Sequence, residues 1–177
     1  MPPLLRKLQN HGFAMLLSTS MLGVACSPVG GQTEGSAQPL ARTKAFPTAI
    51  GHGAASLGGR GGKIIPVTTL SDRTAGSLRA CVEASGARTC VFRVAGVFRF
   101  TGTPPVIKNP NLTIAGQTAP GGGVTIAHDG SAEARTPLLI KNTSDVVVRH
   151  VRVRNDRIGG EKESEDSITI ENSKFVI

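Results

Sequence analysis

The sequence predicts an all-β domain wound as a parallel β-helix, a solenoid of short stacked coils. Three observations predict it. Aliphatic runs of three to five residues, rich in Val and Ile, are divided by Gly, Pro, Asn and Asp through the second half of the chain. Asparagine stands just ahead of such a run at Asn111, Asn142 and Asn172, at spacings of 31 and 30 residues, a period that belongs to stacked repeats. Asp129-Gly130 is the lone hairpin-type dipeptide, whereas a β-sandwich, the main competitor, would show several. Composition agrees. The 177 residues are 39% hydrophobic, with 22 Gly and six Phe but no Tyr or Trp. That scarcity of aromatic platforms excludes a single-strand nucleic-acid binder that stacks bases, despite a net charge of +8. No apolar run reaches the length of about 18 residues that a membrane-spanning helix needs.

The first 25 residues are expected to be an export signal. Arg6 and Lys7 precede an uncharged apolar stretch at 13–25, and Gly23-Val24-Ala25 offers small residues for cleavage. Leu22-Gly23-Val24-Ala25-Cys26 also resembles a bacterial lipoprotein signal, in which the cysteine becomes lipidated. A membrane is therefore expected as a partner only through an anchor at Cys26. Losing Arg6 and Lys7 from the 20 basic residues leaves an exported chain of net charge +6. Residues 26–44, rich in Gly, Ser, Gln and Pro and without periodicity, read as a flexible linker. The domain then occupies 45–177.

Its opening, GHGAASLGGRGGK at 51–63, is not a phosphate loop, because Lys63 is followed by Ile64 rather than Ser or Thr. Glycines at this density let the backbone pass close to another element. Ser77 is expected to cap a two-turn helix that puts Leu78, Cys81 and Val82 on one face, with Gly86 as its stop. Cys81 and Cys90 make a disulfide the natural reading in an oxidising compartment, with two buried free thiols as the alternative. Closing so short a loop contributes roughly 2.5–3 kcal/mol on the chain-entropy model. One pair of ligands makes no tetrahedral metal site.

Strand-like runs follow: VFRVAG at 91–96, VFRF at 97–100, LTIAG at 112–116, VTIAH at 124–128, LLIK at 138–141, DVVV at 145–148, VRVR at 151–154, SITI at 167–170 and KFVI at 174–177. In the VRVR run the period of two turns Val151 and Val153 inward and Arg152 and Arg154 outward. The last run ends the chain without a polar stop or a cap, and a solenoid needs one. The expectation is a truncated domain whose C-terminal coils are missing.

Ala45-Phe46-Pro47, the glycine stretch at 51–63, Val67-Thr68-Thr69-Leu70, Gly76-Ser77-Leu78-Arg79-Ala80 and above all IKNPNLTIAGQTAPGGG at 107–123 together resemble the front of bacterial pectate lyases. The resemblance runs from about residue 45 to the end. It implies a right-handed parallel β-helix, secretion, and calcium-assisted β-elimination in polygalacturonate with an arginine as base. Glu163-Ser164-Glu165-Asp166-Ser167-Ile168-Thr169-Ile170 is similar to the family's acidic segment, where the aspartate before the strand binds calcium. Asp166 matches that position, and Glu163 and Glu165 are further possible ligands. Ser164 stands where some members carry a second aspartate. The family's next acidic segment and its catalytic arginine would lie beyond Ile177, so no catalytic residue is expected here and the chain as given should be inactive.

Bland readings compete with each of these. Glu161, Glu163, Glu165 and Asp166 could be a solvated acidic loop, and Lys141, Arg149, Arg152, Arg154 and Arg157 an ordinary exposed face. An acidic polysaccharide would favour that face through guanidinium–carboxylate pairing at Arg152 and Arg154. Nothing resembles a nucleic-acid-binding motif, and a monomer is expected. His52, His128 and His150 are isolated and suggest no metal cluster. Two function classes remain: an exported polysaccharide lyase, and a non-catalytic β-helix module that binds acidic glycans.

Overall fold

A computed structural model describes residues 43–129, 136–155 and 166–177, all within one compact unit, Leu40–Ile177. The described strands are β1 (Lys63–Val67), β2 (Arg88–Phe92), β3 (Gly96–Phe100), β4 (Val106–Ile107), β5 (Leu112–Ala115), β6 (Val124–His128), β7 (Leu138–Lys141), β8 (Ser144–Arg149), β9 (Val151–Arg154), β10 (Ile168–Glu171) and β11 (Lys174–Val176). They form three parallel sheets: sheet A in the order β1-β2-β5-β8-β11, sheet B β3-β6-β9 and sheet C β4-β7-β10. From β2 onward the chain visits A, B and C in turn and climbs one strand each time, while β1 adds an edge strand to sheet A. This is a parallel β-solenoid of about four turns with little helix.

Alternation along each strand builds the interior. Cys90, Ile114 and Val148 are in register in sheet A, Phe98, Ile126 and Val153 in sheet B, and Ile107 and Ile140 in sheet C, where Ile170 follows in register but is exposed on the last coil. Like side chains thus stack along the axis, and each fully buried aliphatic contributes about 1.5–3 kcal/mol. Phe92 meets Phe98 edge to face, with centroids 5.3 Å apart. His128 also points inward and is wholly buried, its Nε2 hydrogen-bonded to the Gly102 carbonyl.

The helix α1 (Leu78–Glu83) forms as its sequence predicts, with Ser77 Oγ accepting from the Ala80 N–H at 3.1 Å. It packs against β1, β2 and β4, and β1 and β4 are the edges of their sheets, so it covers the N-terminal end of the solenoid. The stop differs from expectation. The helix ends at Glu83 with an extended Ala84, and Gly86, at φ 79°, turns the chain two residues later. Cys81 and Cys90 are joined in a disulfide, Cα–Cα 6.0 Å, which ties this cap to β2.

The asparagine period holds, but its register is corrected. Asn142 and Asn172 occupy equivalent corners between sheets C and A, at φ 52° and 44°. Asn111, at φ 59°, instead stands level with Asp145 and Phe175, at φ 57° and 54°, because Leu112 pairs with Val146 and Lys174 with Ser144. Asparagine and aspartate tolerate this left-handed conformation better than other side chains.

The glycine-dense stretch is a strap across the outside of sheet A. His52 stacks on Phe175 with centroids 5.8 Å apart, the Leu57 N–H donates to Asp145 Oδ1 at 2.9 Å, and the Gly59 N–H donates to Thr113 Oγ1 at 2.8 Å. The strap therefore passes from the fourth turn back to the first. A Cβ at Gly53 would lie 2.1 Å from the Val176 carbonyl oxygen, and one at Gly59 1.9 Å from that of Arg88. Val147 faces outward and is still buried, because Gly58 lies over it.

Candidate functional site

The sequence-predicted residues fall on two kinds of corner. Asp166 is exposed, two residues before β10, and the pairing of Ile168 with Leu138 places it level with Thr136 on the preceding coil. Glu163 and Glu165 lie outside the described residues, as do Arg157, Cys26 and the proposed signal. Among the described residues no three of His, Cys, Asp and Glu come together. Calcium takes about six to eight oxygen ligands, and Asp166 offers one carboxylate toward such a set.

The basic residues divide. Lys141 is paired with Glu171, directly opposite in register, at 2.6 Å. The Arg149 guanidinium lies 3.9 Å from the centroid of the Phe46 ring, a cation–π contact that fastens the segment leading into the strap. Arg152 and Arg154 are exposed on β9 between half-buried valines, as the alternation predicts. Arg152 Nη1 donates to the Gly122 carbonyl at 2.8 Å, and Arg154 Nη1 to its neighbour Val153 at 3.2 Å. Arg154, Ala127 and Arg99 form one row across sheet B, while Arg152, Thr125 and Val97 form the next. The histidines are scattered: His52 in the strap, His128 in the core, His150 exposed at the corner between β8 and β9.

The most developed polar cluster lies at the cap, where the sequence reading did not look. Asp72 and Arg79 form a bidentate pair, Oδ1–Nε 2.7 Å and Oδ2–Nη2 2.8 Å, and Asp72 Oδ2 also accepts from the Thr101 N–H and hydroxyl at 2.8 and 2.9 Å. Burial pushes the Asp72 carboxyl up, but the hydrogen bonds from Arg79 and Thr101 outweigh it and hold the group below its ordinary value. The hydrogen bonds to Asp72, with Glu83 adding to them, raise Arg79 against the burial that lowers it.

Arg88 is fully buried. Its Nε donates to the Cys81 carbonyl at 2.9 Å and its Nη2 to that of Val82 at 2.7 Å, both in the last turn of α1. Its Nη1 reaches Gly86 at 3.0 Å and Pro110 on the next coil at 3.2 Å. Burial lowers its pKa. One sequence signal could have found it. Arg88 shares the parity of inward-facing Cys90 and Phe92, so a strand begun at Arg88 turns it inside.

No family model matches the chain. A protein of Aspergillus terreus named "Probable pectate lyase C" is 38% identical over 133 residues, which cover 75% of this chain and 29% of the relative. An Emericella nidulans protein of the same name is 42% identical over 136 residues, 75% of this chain and 30% of its own length. Over this stretch the chain is pectate-lyase-like. It spans just under a third of the length of these curated relatives. Among solved structures, that of Jun a 1, the major allergen from cedar pollen, shares 22% identity at a TM-score of 0.32, over 58% of this chain and 28% of that one.

Proposed function

We propose that this pectate-lyase-like solenoid belongs to an exported polysaccharide lyase acting on polygalacturonate by calcium-assisted β-elimination. The observation that carries the reading is the 37–42% identity to proteins named probable pectate lyase C, over about three quarters of the chain in several of them. In that reaction a base removes the uronate C5 proton, the electron pair forms the C4–C5 double bond, and the C4–O bond to the leaving sugar breaks. Bound calcium would neutralise the uronate carboxylate and so acidify the C5 proton. Of the described residues, Asp166 would hold the metal, and Glu163 and Glu165 are proposed beside it. Arg152 and Arg154 would attract the polyanion. The proposed signal at 1–25 and the Cys81–Cys90 disulfide support export.

The base is proposed to lie outside these 177 residues, so the chain alone should release no unsaturated product from polygalacturonate with calcium, as read by ultraviolet absorbance. Steady turnover by the chain would refute that placement. In a polypeptide that carries these residues at the length of the relatives, Asp166→Asn should raise the calcium requirement about tenfold, the effect of losing one charged ligand. An unchanged requirement removes Asp166 from the site, and no turnover at that length sinks the lyase reading.

A further inference from the structure

The strap across sheet A carries two kinds of residue. Its glycines fit against the sheet, as the close approaches at Gly53, Gly58 and Gly59 require. Its large aliphatic side chains do not. Ile50 is 81% exposed and Leu57 48%, and Ile64, where the strap runs into β1, is 71% exposed. Ile64 is in register with Thr89 and Thr113, the outward row that the Gly59 N–H meets, so it stands on the same outer side of the sheet as the strap. A further coil stacked on β1 would cover its edge and leave this side chain bare. The core asks for none of the three, because β1 turns Ile65 and Val67 to the interior instead. Exposed aliphatics gathered on one element mark an interaction surface more often than aliphatics scattered singly.

The same segment is basic. Lys44, Arg60 and Lys63 are exposed, and none pairs with a carboxylate among the described residues. Arg60 Nη2 donates to the Lys44 carbonyl at 2.9 Å, which brings the start of the strap beside its end. No Asp or Glu occurs between Glu34 and Asp72. One carboxylate reaches the strap from the sheet, Asp145, and it accepts from the Leu57 N–H. Exposed aliphatic side chains interleaved with free cations suit a partner that is anionic at its boundary and apolar beneath, which is a lipid surface. A soluble polyanion would use the cations and leave the isoleucines in water. The strap is also the described segment next in sequence to the proposed linker and the proposed anchor at Cys26.

We propose that the outer side of the strap docks on an anionic lipid bilayer, with Ile50, Leu57 and Ile64 entering the interface and Lys44, Arg60 and Lys63 meeting the headgroup phosphates. The docking depends neither on the lyase reading nor on lipidation of Cys26. Because the chain has no Trp or Tyr, a single introduced tryptophan reports one place. The whole chain is made as Ile50→Trp, Ile64→Trp and, for the exposed outer side of sheet B, Val97→Trp, with circular dichroism confirming the parent fold. Phosphatidylglycerol vesicles should shift the emission of Ile50→Trp and Ile64→Trp to shorter wavelength and leave that of Val97→Trp unchanged. Adding Lys44→Gln and Lys63→Gln to Ile50→Trp should raise the half-saturating lipid concentration at least about tenfold, since each cation near an anionic surface is worth about fivefold. Phosphatidylcholine vesicles should require a similar excess. No shift in Ile50→Trp and Ile64→Trp would overturn the proposal. An equal shift in Val97→Trp would overturn it too, assigning attachment to another part of the chain such as the apolar stretch at 13–25. Equal binding to phosphatidylcholine would overturn the role of the cations, and the same shift with polygalacturonate in place of vesicles would give the surface to the glycan.

Discussion

Replacing Arg88 with methionine removes the guanidinium donors from the cap while keeping a long side chain in its place. The carbonyls of Cys81 and Val82, which accept from Arg88 at 2.9 and 2.7 Å, belong to the final turn of α1 and have no helical partner. Each buried group left unsatisfied costs about 1–3 kcal/mol, so the pair loses roughly 2–6. Relief of a buried, desolvated cation offsets part of this. A net loss of about 3 kcal/mol is expected, lowering Tm by roughly 10–15 °C for a domain of this size. Arg88→Lys should lie between, because an ammonium keeps the charge but cannot span carbonyls that the planar fork reaches separately. Far-ultraviolet circular dichroism during thermal and urea unfolding, with the disulfide intact, is the assay, since the chain has no Trp or Tyr to report by fluorescence. If Arg88→Met unfolds within about 1 kcal/mol of the parent, the capping argument is wrong.

Acid should loosen the same cap through Asp72. Its pKa is lower folded than unfolded, so its stabilisation is complete above the ordinary carboxylate value and disappears as pH falls through the lower folded value. Asp72→Asn should therefore reduce stability at neutral pH and flatten the acid limb of a Tm–pH profile. A parallel displacement of the whole profile would show that Asp72 does not titrate with folding. At the strap, Gly59→Ala forces a Cβ to within 1.9 Å of the Arg88 carbonyl, and overpacking of this kind costs about 1–3 kcal/mol. Limited proteolysis within residues 45–62 should accelerate, and an unchanged rate would mean that the strap does not depend on that close approach.

Most strands were legible because short β-branched runs between turn residues need no context to be recognised. Two were not. In β1, Pro66 and the glycines before Lys63 read as breakers, yet β1 is the edge of sheet A, where a residue without an N–H is tolerated. In β4, Val106 and Ile107 follow Pro104-Pro105 and form a strand only because β7 pairs with them. The polar cap was hidden for a different reason. An arginine that will cap a buried helix end looks like any other arginine, and Asp72 and Arg79 meet through a loop whose path is not written locally. Arg152 and Arg154 were readable because alternation alone decides which way they face.

The shift of Asn111 against Asn142 carries the broader argument. Paired strands must stay in register, because a slip by one residue would turn the whole inner row outward. Length differences between coils must therefore be absorbed at corners. From sheet C to sheet A the second and third connections are 142–143 and 172–173, so Asn142 and Asn172 remain equivalent; the first, 108–111, is longer, and Asn111 takes a different place. From sheet B to sheet C the connections grow from 101–105 to 129–137 to 155–167. The last of these holds Glu163, Glu165 and Asp166, while the longest A–B connection, 116–123, carries the Gly121-Gly122-Gly123 run. Stacking thus confines variation to the corners, and at the corners side chains escape the demands of the core. A one-residue insertion within 155–167 should leave folding nearly untouched and change the proposed calcium dependence, whereas the same insertion within β9 should invert Arg152 and Val153 and unfold the coil. Equal stability of the two insertions, followed by circular dichroism, would contradict this division of labour.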